Sequence, residues 1–219
     1  MKIAPHSRLV MIGDSVTDCA RARPVGEGLP DGLGQGYVAC VDARLRSASP
    51  THRIRVTNMG ISGDTVRDLA ARWDSDVLAL KPDWLSVMIG INDVWRYFEP
   101  ARRSEAVLPD EFERTYDRLL TRIRPRLQGL VLMTPFFIEP LRTDAMRQRM
   151  DSYGALVRGL AKRHAAVLVD TQAAFDEGLA HEASTAFSND RVHPNPRGHM
   201  VLARVFLEGI GLPWPASDL

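Results

Sequence analysis

The sequence predicts an α/β protein: a flavodoxin-like, three-layer α/β/α sandwich on a five-stranded parallel sheet of order 2-1-3-4-5. Three observations predict it. Five short apolar runs alternate with segments of helical periodicity along the whole chain. The runs at 84–89 and 129–133 are almost continuously apolar, as strands covered on both faces must be. Right-handed crossovers then put helices on both sides of one sheet. The order 2-1-3-4-5 is the simplest that does so, and it sets the ends of the first three strands side by side.

The first strand is Leu9 to Ile12, closed by Gly13-Asp14-Ser15. A polar, glycine-rich loop is expected from Val16 to Gly36. Its Gly32-Leu33-Gly34-Gln35-Gly36 does not follow a strand and lacks the spacing of a dinucleotide-binding turn. Tyr37 to Arg46 has apolar residues at helical spacing. Arg53 to Met59 alternates and is β-branched, a second strand that ends in Asn58-Met59-Gly60-Ile61-Ser62-Gly63. Asp64-Thr65 can cap a helix from Val66 to Leu80, which Pro82 stops. The third strand, Trp84 to Ile89, runs into Gly90-Ile91-Asn92-Asp93. A helix from Pro109 to Arg124, a strand Gly129 to Met133, a long helix capped by Asp144 and reaching Ala165, and a strand Ala166 to Val169 follow. A helix from Thr171 to Leu179 and a last one opened by Pro196 complete the chain.

At 219 residues and 45% hydrophobic, one domain over 1–219 is expected. Lys and Arg number 28 against 27 acidic residues, a net charge of +1, which points to neither nucleic acid nor an acidic membrane surface. The Arg21/Arg23 and Arg122–Arg126 clusters read as solvated faces. Cys19 and Cys40, the only cysteines, form no disulfide framework and no zinc spacing, and read as buried free thiols. The apolar run near the N-terminus is four residues long, too short for a signal-peptide core. A cytoplasmic protein is the expectation.

Three strand ends supply what acyl transfer by a serine needs. The first offers Ser15 as nucleophile. The second offers Gly60, whose N–H can approach a ligand closely, and the third offers the Asn92 amide. The N–H groups of Ser15 and Gly60 with the Asn92 side chain would form an oxyanion hole. A serine hydroxyl needs a base. Of six histidines, His6 and His52 lie in polar segments and His164 and His181 near helix ends. His193 follows Asp190 by three residues and is stiffened by Pro194 and Pro196. Asp190 can hold one ring nitrogen while the other faces Ser15. His199 reads as a packing histidine, and a metal pair of His193 and His199 lacks the usual ligand spacing. No metal and no cofactor are expected. Asp14, Asp93, Trp95 and Phe136 are the candidate substrate contacts.

Four blocks in order carry a resemblance: GDS at Gly13 to Ser15, Gly60 after Asn58, G-x-N-D at Gly90 to Asp93, and D-x-x-H at Asp190 to His193. Together they resemble the SGNH (GDSL-type) hydrolases, with Val16 where that motif name has leucine. The resemblance implies ester hydrolysis with Ser15 as nucleophile, His193 as base, Asp190 as its partner, and Gly60 and Asn92 as oxyanion donors. Stretches such as GISGDTVRDLAARW and DRVHPNPRGHM are similar to bacterial intracellular acetylxylan esterases. That similarity implies deacetylation of xylo-oligosaccharides in xylan degradation by a homo-oligomer. Asn189 stands where such relatives often carry an aromatic residue. A lipase-like esterase or thioesterase for other acyl chains is the competing enzyme. A non-catalytic sugar- or nucleotide-binding module is the competing class, and it does not require Ser15, His193 and Asp190 together.

Overall fold

The computed structural model describes residues 1–28 and 31–214. Of the C-terminal tail that begins at Leu212, residues 215–219 lie outside the described residues, as do Leu29 and Pro30 in the loop before Gly36. Five parallel strands form one sheet in the order β2-β1-β3-β4-β5, as expected. They are β1 (Arg8–Gly13), β2 (Arg55–Asn58), β3 (Trp84–Met88), β4 (Gly129–Met133) and β5 (Val167–Val169). Gly13 lies opposite Met88, and Met88 opposite Met133, so the C-terminal ends of β1, β3 and β4 come level.

Alternation along the strands sorts side chains between two cores. Val10, Ile12, Leu85, Val87, Leu130 and Leu132 face one layer. That layer is built on α3 (Val66–Trp73), α5 (Pro109–Ile123) and α6 (Ala145–Arg163). Leu9, Met11, Val56, Val131 and Met133 face the other, which is built on α2 (Tyr37–Ala48), α7 (Thr171–Leu179) and α8 (Pro196–Gly209). The long helices end close to where caps and prolines place them. Asp144 accepts from the N–H groups of Met146 and Arg147 at 2.9 Å, and Asn195 from that of Gly198 at 3.1 Å.

Four differences from expectation matter near the strand ends. Ser15 starts a single helical turn, α1 (Ser15–Asp18), where a loop was expected. Asn92 lies in α4 (Ile91–Phe98), not in a loop. This helix is short, and its N-cap, Gly90, has no side chain to announce it. The expected helix from Val66 to Leu80 keeps α-geometry only to Trp73; one π turn, Asp74–Leu78, completes it. Arg21 is no solvated residue either. It is 5% exposed and donates from Nε to the Gly60 carbonyl at 2.7 Å. Trp214, at the start of the tail, packs half-buried against the α2/α8 core of its own chain.

Candidate active site

The end of β1 is built to turn at once into α1. A Cβ on Gly13 would meet the Met88 carbonyl oxygen at 2.3 Å and Thr17 Oγ1 at 2.5 Å, so no larger residue fits there. Asp14 caps the turn, its Oδ1 accepting from the Val16 N–H at 3.0 Å. Ser15 is the next residue, and its own N–H has no acceptor among the described residues. The hydroxyl meets His193: Ser15 Oγ and His193 Nε2 are 3.0 Å apart. On the other side of the ring, His193 Nδ1 lies 2.6 Å from Asp190 Oδ2.

The segment carrying this pair is pinned by its own carboxylate. Asp190 Oδ1 accepts from the N–H of His193 at 2.7 Å, the N–H of Val192 at 2.9 Å and the Ser188 hydroxyl at 2.9 Å. Burial pushes the Asp190 carboxyl up, but the His193 ring and these donors outweigh it and hold it down at about 2. A fixed anion there orients the imidazole with Nδ1–H toward Asp190 and leaves Nε2 as acceptor for the serine proton. From the neighbouring chain segment, the Ile138 N–H donates to the Arg191 carbonyl at 2.9 Å and Glu139 pairs with the Arg191 guanidinium. The Trp95 ring meets His193 edge-on, with centroids 5.9 Å apart.

The loop after β2 corrects one expectation. Gly60 does not offer a free N–H, because that group donates to Asn58 Oδ1 at 2.9 Å. Its Cα is pressed on α1, where a Cβ would meet the Asp18 nitrogen at 2.3 Å. Gly60 therefore lets the loop pack. Three residues on, Gly63 has φ +89°, a conformation that favours glycine, and its N–H has no acceptor among the described residues. Asn92 ties α4 to the same loop, one amide N–H donating to the Asp64 carbonyl at 2.9 Å and leaving the second for a ligand. The sequence singles out Gly60 and not Gly63, whose N–H is the one left without an acceptor among the described residues. The signal was Asn58 two residues before Gly60, an Asx pattern that consumes the Gly60 N–H.

Three of the four expected substrate contacts are instead interior. Asp14 and Asp93 are 2% and 0% exposed. Asp93 Oδ1 accepts from the Val66 N–H at 3.0 Å and so fixes the start of α3, while its Oδ2 has no partner. Phe136 is 3% exposed and packs tilted against Phe175 with centroids 4.6 Å apart, so it is a core ring and no sugar platform. Only Trp95 keeps a half-exposed face beside His193.

Burial raises three of these acids. It takes Asp14 and Asp93 up to about 7, each helped by a neighbouring carboxyl, and Asp64 up to about 6 against the pull of Arg72. His199 goes the other way, down to about 4, by burial and then by the nearby His193. It is the packing histidine expected, accepting from the Tyr37 N–H at 3.2 Å and lying 3.3 Å from the Cys19 thiol, which burial pushes up to about 12. The signs decide a stability profile. Each raised acid stabilises the fold fully below its unfolded value near 3.8, and loses that contribution as pH rises through 6 to 7. The lowered histidine stabilises above 6.5 and loses its contribution as pH falls through 4. Three acids outweigh one histidine, so thermal stability rises from pH 8 to pH 5. Asp93→Asn keeps the acceptor for Val66 but removes one titration. Its melting temperature exceeds that of wild type most at pH 8, by up to about 10 °C, and the gap narrows by pH 5. A gap independent of pH in a fluorimetric melt contradicts this account.

No group of three or more His, Cys, Asp or Glu side chains able to hold a metal occurs among the described residues, and none of the described helices is long and apolar enough to cross a membrane. The sheet and the Ser15–His193–Asp190 chain at its C-terminal edge define the class, a serine-type carboxylic ester hydrolase. The model of the GDSL-like lipase/acylhydrolase family matches residues 11–201, and the chain belongs to this family. An acetylxylan esterase from Geobacillus stearothermophilus is 51% identical over 218 residues, covering 99% of this chain and 100% of that protein. Its crystal structure superposes with a TM-score of 0.96 over 100% of both chains. Related structures are catalytic mutants of that enzyme in which a serine or a histidine is replaced by alanine. An α/β hydrolase from the metagenome of Lake Arreo, Spain, is 50% identical, with a TM-score of 0.96 over 98% of this chain and 100% of that one.

Proposed function

We propose that the protein removes acetyl groups from acetylated xylo-oligosaccharides through an acetyl-enzyme intermediate. The observation that carries the mechanism is the continuous chain from Ser15 Oγ to His193 Nε2 to Asp190, at 3.0 and 2.6 Å. Full-length likeness to an acetylxylan esterase supports the substrate. Ser15 Oγ attacks the acetyl carbonyl while His193 Nε2 takes its proton. The negative oxygen of the tetrahedral intermediate accepts from the N–H of Ser15, the N–H of Gly63 and the free amide N–H of Asn92. His193 returns the proton to the departing sugar oxygen, and a water activated by the same nitrogen frees acetate. Asn92→Ala removes one oxyanion donor and lowers kcat by about 10²–10³ with KM little changed. A KM effect alone in steady-state assays excludes Asn92 from this role.

The apolar void flanked by Asp14 and Val16, and closed by Met88, Ile91, Pro135 and Phe136, supports a short acyl group. Its volume is about 10 Å³, room for roughly one water or methyl. Rates therefore fall from acetyl to octanoyl esters of one alcohol. A rise along that series favours the competing lipase or thioesterase reading. A cytoplasmic setting and a homo-oligomer belong to the same proposal. The two free cysteines suit a reducing compartment, and light scattering on the full chain measures the assembly.

A further inference from the structure

The alcohol half of the substrate must lie where His193 can protonate it, and Trp95 is the ring beside His193. Trp95 stands edge-on to His193, and the Arg96 guanidinium lies over the same indole, 5.8 Å from its centroid. Arg96 is 5% exposed. Its Nη1 donates to Glu99 at 2.8 Å, while its Nε makes no hydrogen bond and lies 3.8 Å from a Glu105 carboxylate oxygen. Apart from Gly63's own chain neighbours, the only heavy atom of the described residues within 4 Å of a Cβ placed on Gly63 is Arg96 Nη2, at 3.9 Å. The Nη2 end of a largely buried guanidinium, an end that makes no hydrogen bond to the described residues, thus looks onto the backbone proposed to hold the oxyanion.

Beyond Gly63 the surface opens into a cleft of about 560 Å³ between the 62–68 segment and the 3₁₀ segment Pro100–Glu105. Its walls are polar but close to charge-balanced. Arg67 pairs with Glu111 through two bonds of 2.5 and 2.6 Å, and Arg102 with Glu105 at 2.5 Å. Asp68 is held by the Thr65 hydroxyl and N–H at 2.7 and 2.9 Å. Both lining cations are paired, Asp64 is paired with Arg72, and Asp68 has only neutral donors, so the cleft offers an anionic ligand nothing. Donors and acceptors around a large, wet volume suit a neutral, hydroxyl-rich one.

We propose that this cleft is a subsite for the xylosyl units beyond the acetylated one, with Trp95 under the leaving sugar and Arg96 donating to it at the cleft mouth. The inference rests on the deacetylase reading above and assigns that reading a chain-length preference. The test compares kcat/KM on an acetylated methyl xyloside, an acetylated xylotriose and 4-nitrophenyl acetate. It uses wild type, Ser104→Trp and, as a second filler of the same wall, Ser104→Tyr. Ser104 is exposed on the 3₁₀ segment, so a bulky side chain there fills the cleft and leaves the core untouched. In wild type, kcat/KM rises about tenfold from the monosaccharide to the trisaccharide, the equivalent of one or two hydrogen bonds. Both fillers erase that rise through KM, and the ratio of trisaccharide to 4-nitrophenyl acetate activity falls about tenfold. Arg96→Lys keeps a cation for Glu99 and raises KM for the trisaccharide more than for 4-nitrophenyl acetate. A trisaccharide preference that survives both fillers overturns the subsite alone. Wild-type enzyme that cleaves 4-nitrophenyl acetate but neither sugar ester overturns the deacetylase reading, and the subsite with it.

Discussion

Ser15→Ala lowers kcat by about 10⁶ and leaves the fold intact. Ser15 is N-terminal in a four-residue helical turn, and its hydroxyl makes one side-chain bond, to His193. The cap on that turn is Asp14, not Ser15. Removing the hydroxyl therefore costs the reaction its nucleophile and costs the structure almost nothing. What persists is the activity of the oxyanion donors and of binding, roughly 10³–10⁴ over water in enzymes of this kind. Acetate release measured with protein free of wild-type carry-over, beside a melting curve, checks both halves. Turnover within tenfold of wild type removes Ser15 from the mechanism.

Asp190→Asn gives the second largest loss, about 10³–10⁴ in kcat. The asparagine keeps an oxygen for the N–H groups of His193 and Val192, so the turn holds. It no longer offers a carboxylate to Nδ1. The imidazole is then free to take the wrong tautomer, and the imidazolium formed in the transition state loses its counter-charge. The effect is smaller than for Ser15 for a physical reason. The Asp190 and His193 side chains are 46% and 45% exposed, so water supplies part of the stabilisation. Stopped-flow or steady-state turnover with unchanged KM is the expected result. A loss confined to KM assigns Asp190 to substrate binding.

The sheet was readable because its strands are short apolar runs and its long helices carry caps or prolines at their ends. Leu9 to Ile12 and Gly129 to Met133 need no tertiary information to be seen as strands. The catalytic chain was readable too, because Asp190 and His193 are three residues apart and reach each other locally. The loop proposed to hold the oxyanion was not. Gly60 and Gly63 are alike in sequence, and only the Asn58 side chain, by taking the Gly60 N–H, separates them. Asn92 was placed at the right strand end but in the wrong element, since α4 begins at a bare glycine of φ +135°. Asp14, Asp93 and Phe136 misled for a common reason. A charged or aromatic residue next to a reactive one invites a sugar contact, yet all three are buried: Asp14 and Asp93 fix helix starts, and Phe136 packs on Phe175 and borders only the small apolar void. Hydropathy gives no sign that a carboxyl will be buried and raised to about 7.

An activated nucleophile at Ser15 reacts with electrophiles that the other serines of the fold leave alone. A fluorophosphonate probe followed by peptide mass mapping reads this out, because the probe bonds preferentially to an activated hydroxyl. One equivalent on the peptide containing Ser15, lost in His193→Ala, is the predicted result. Label on another residue, or none on wild-type protein that releases acetate, contradicts the account.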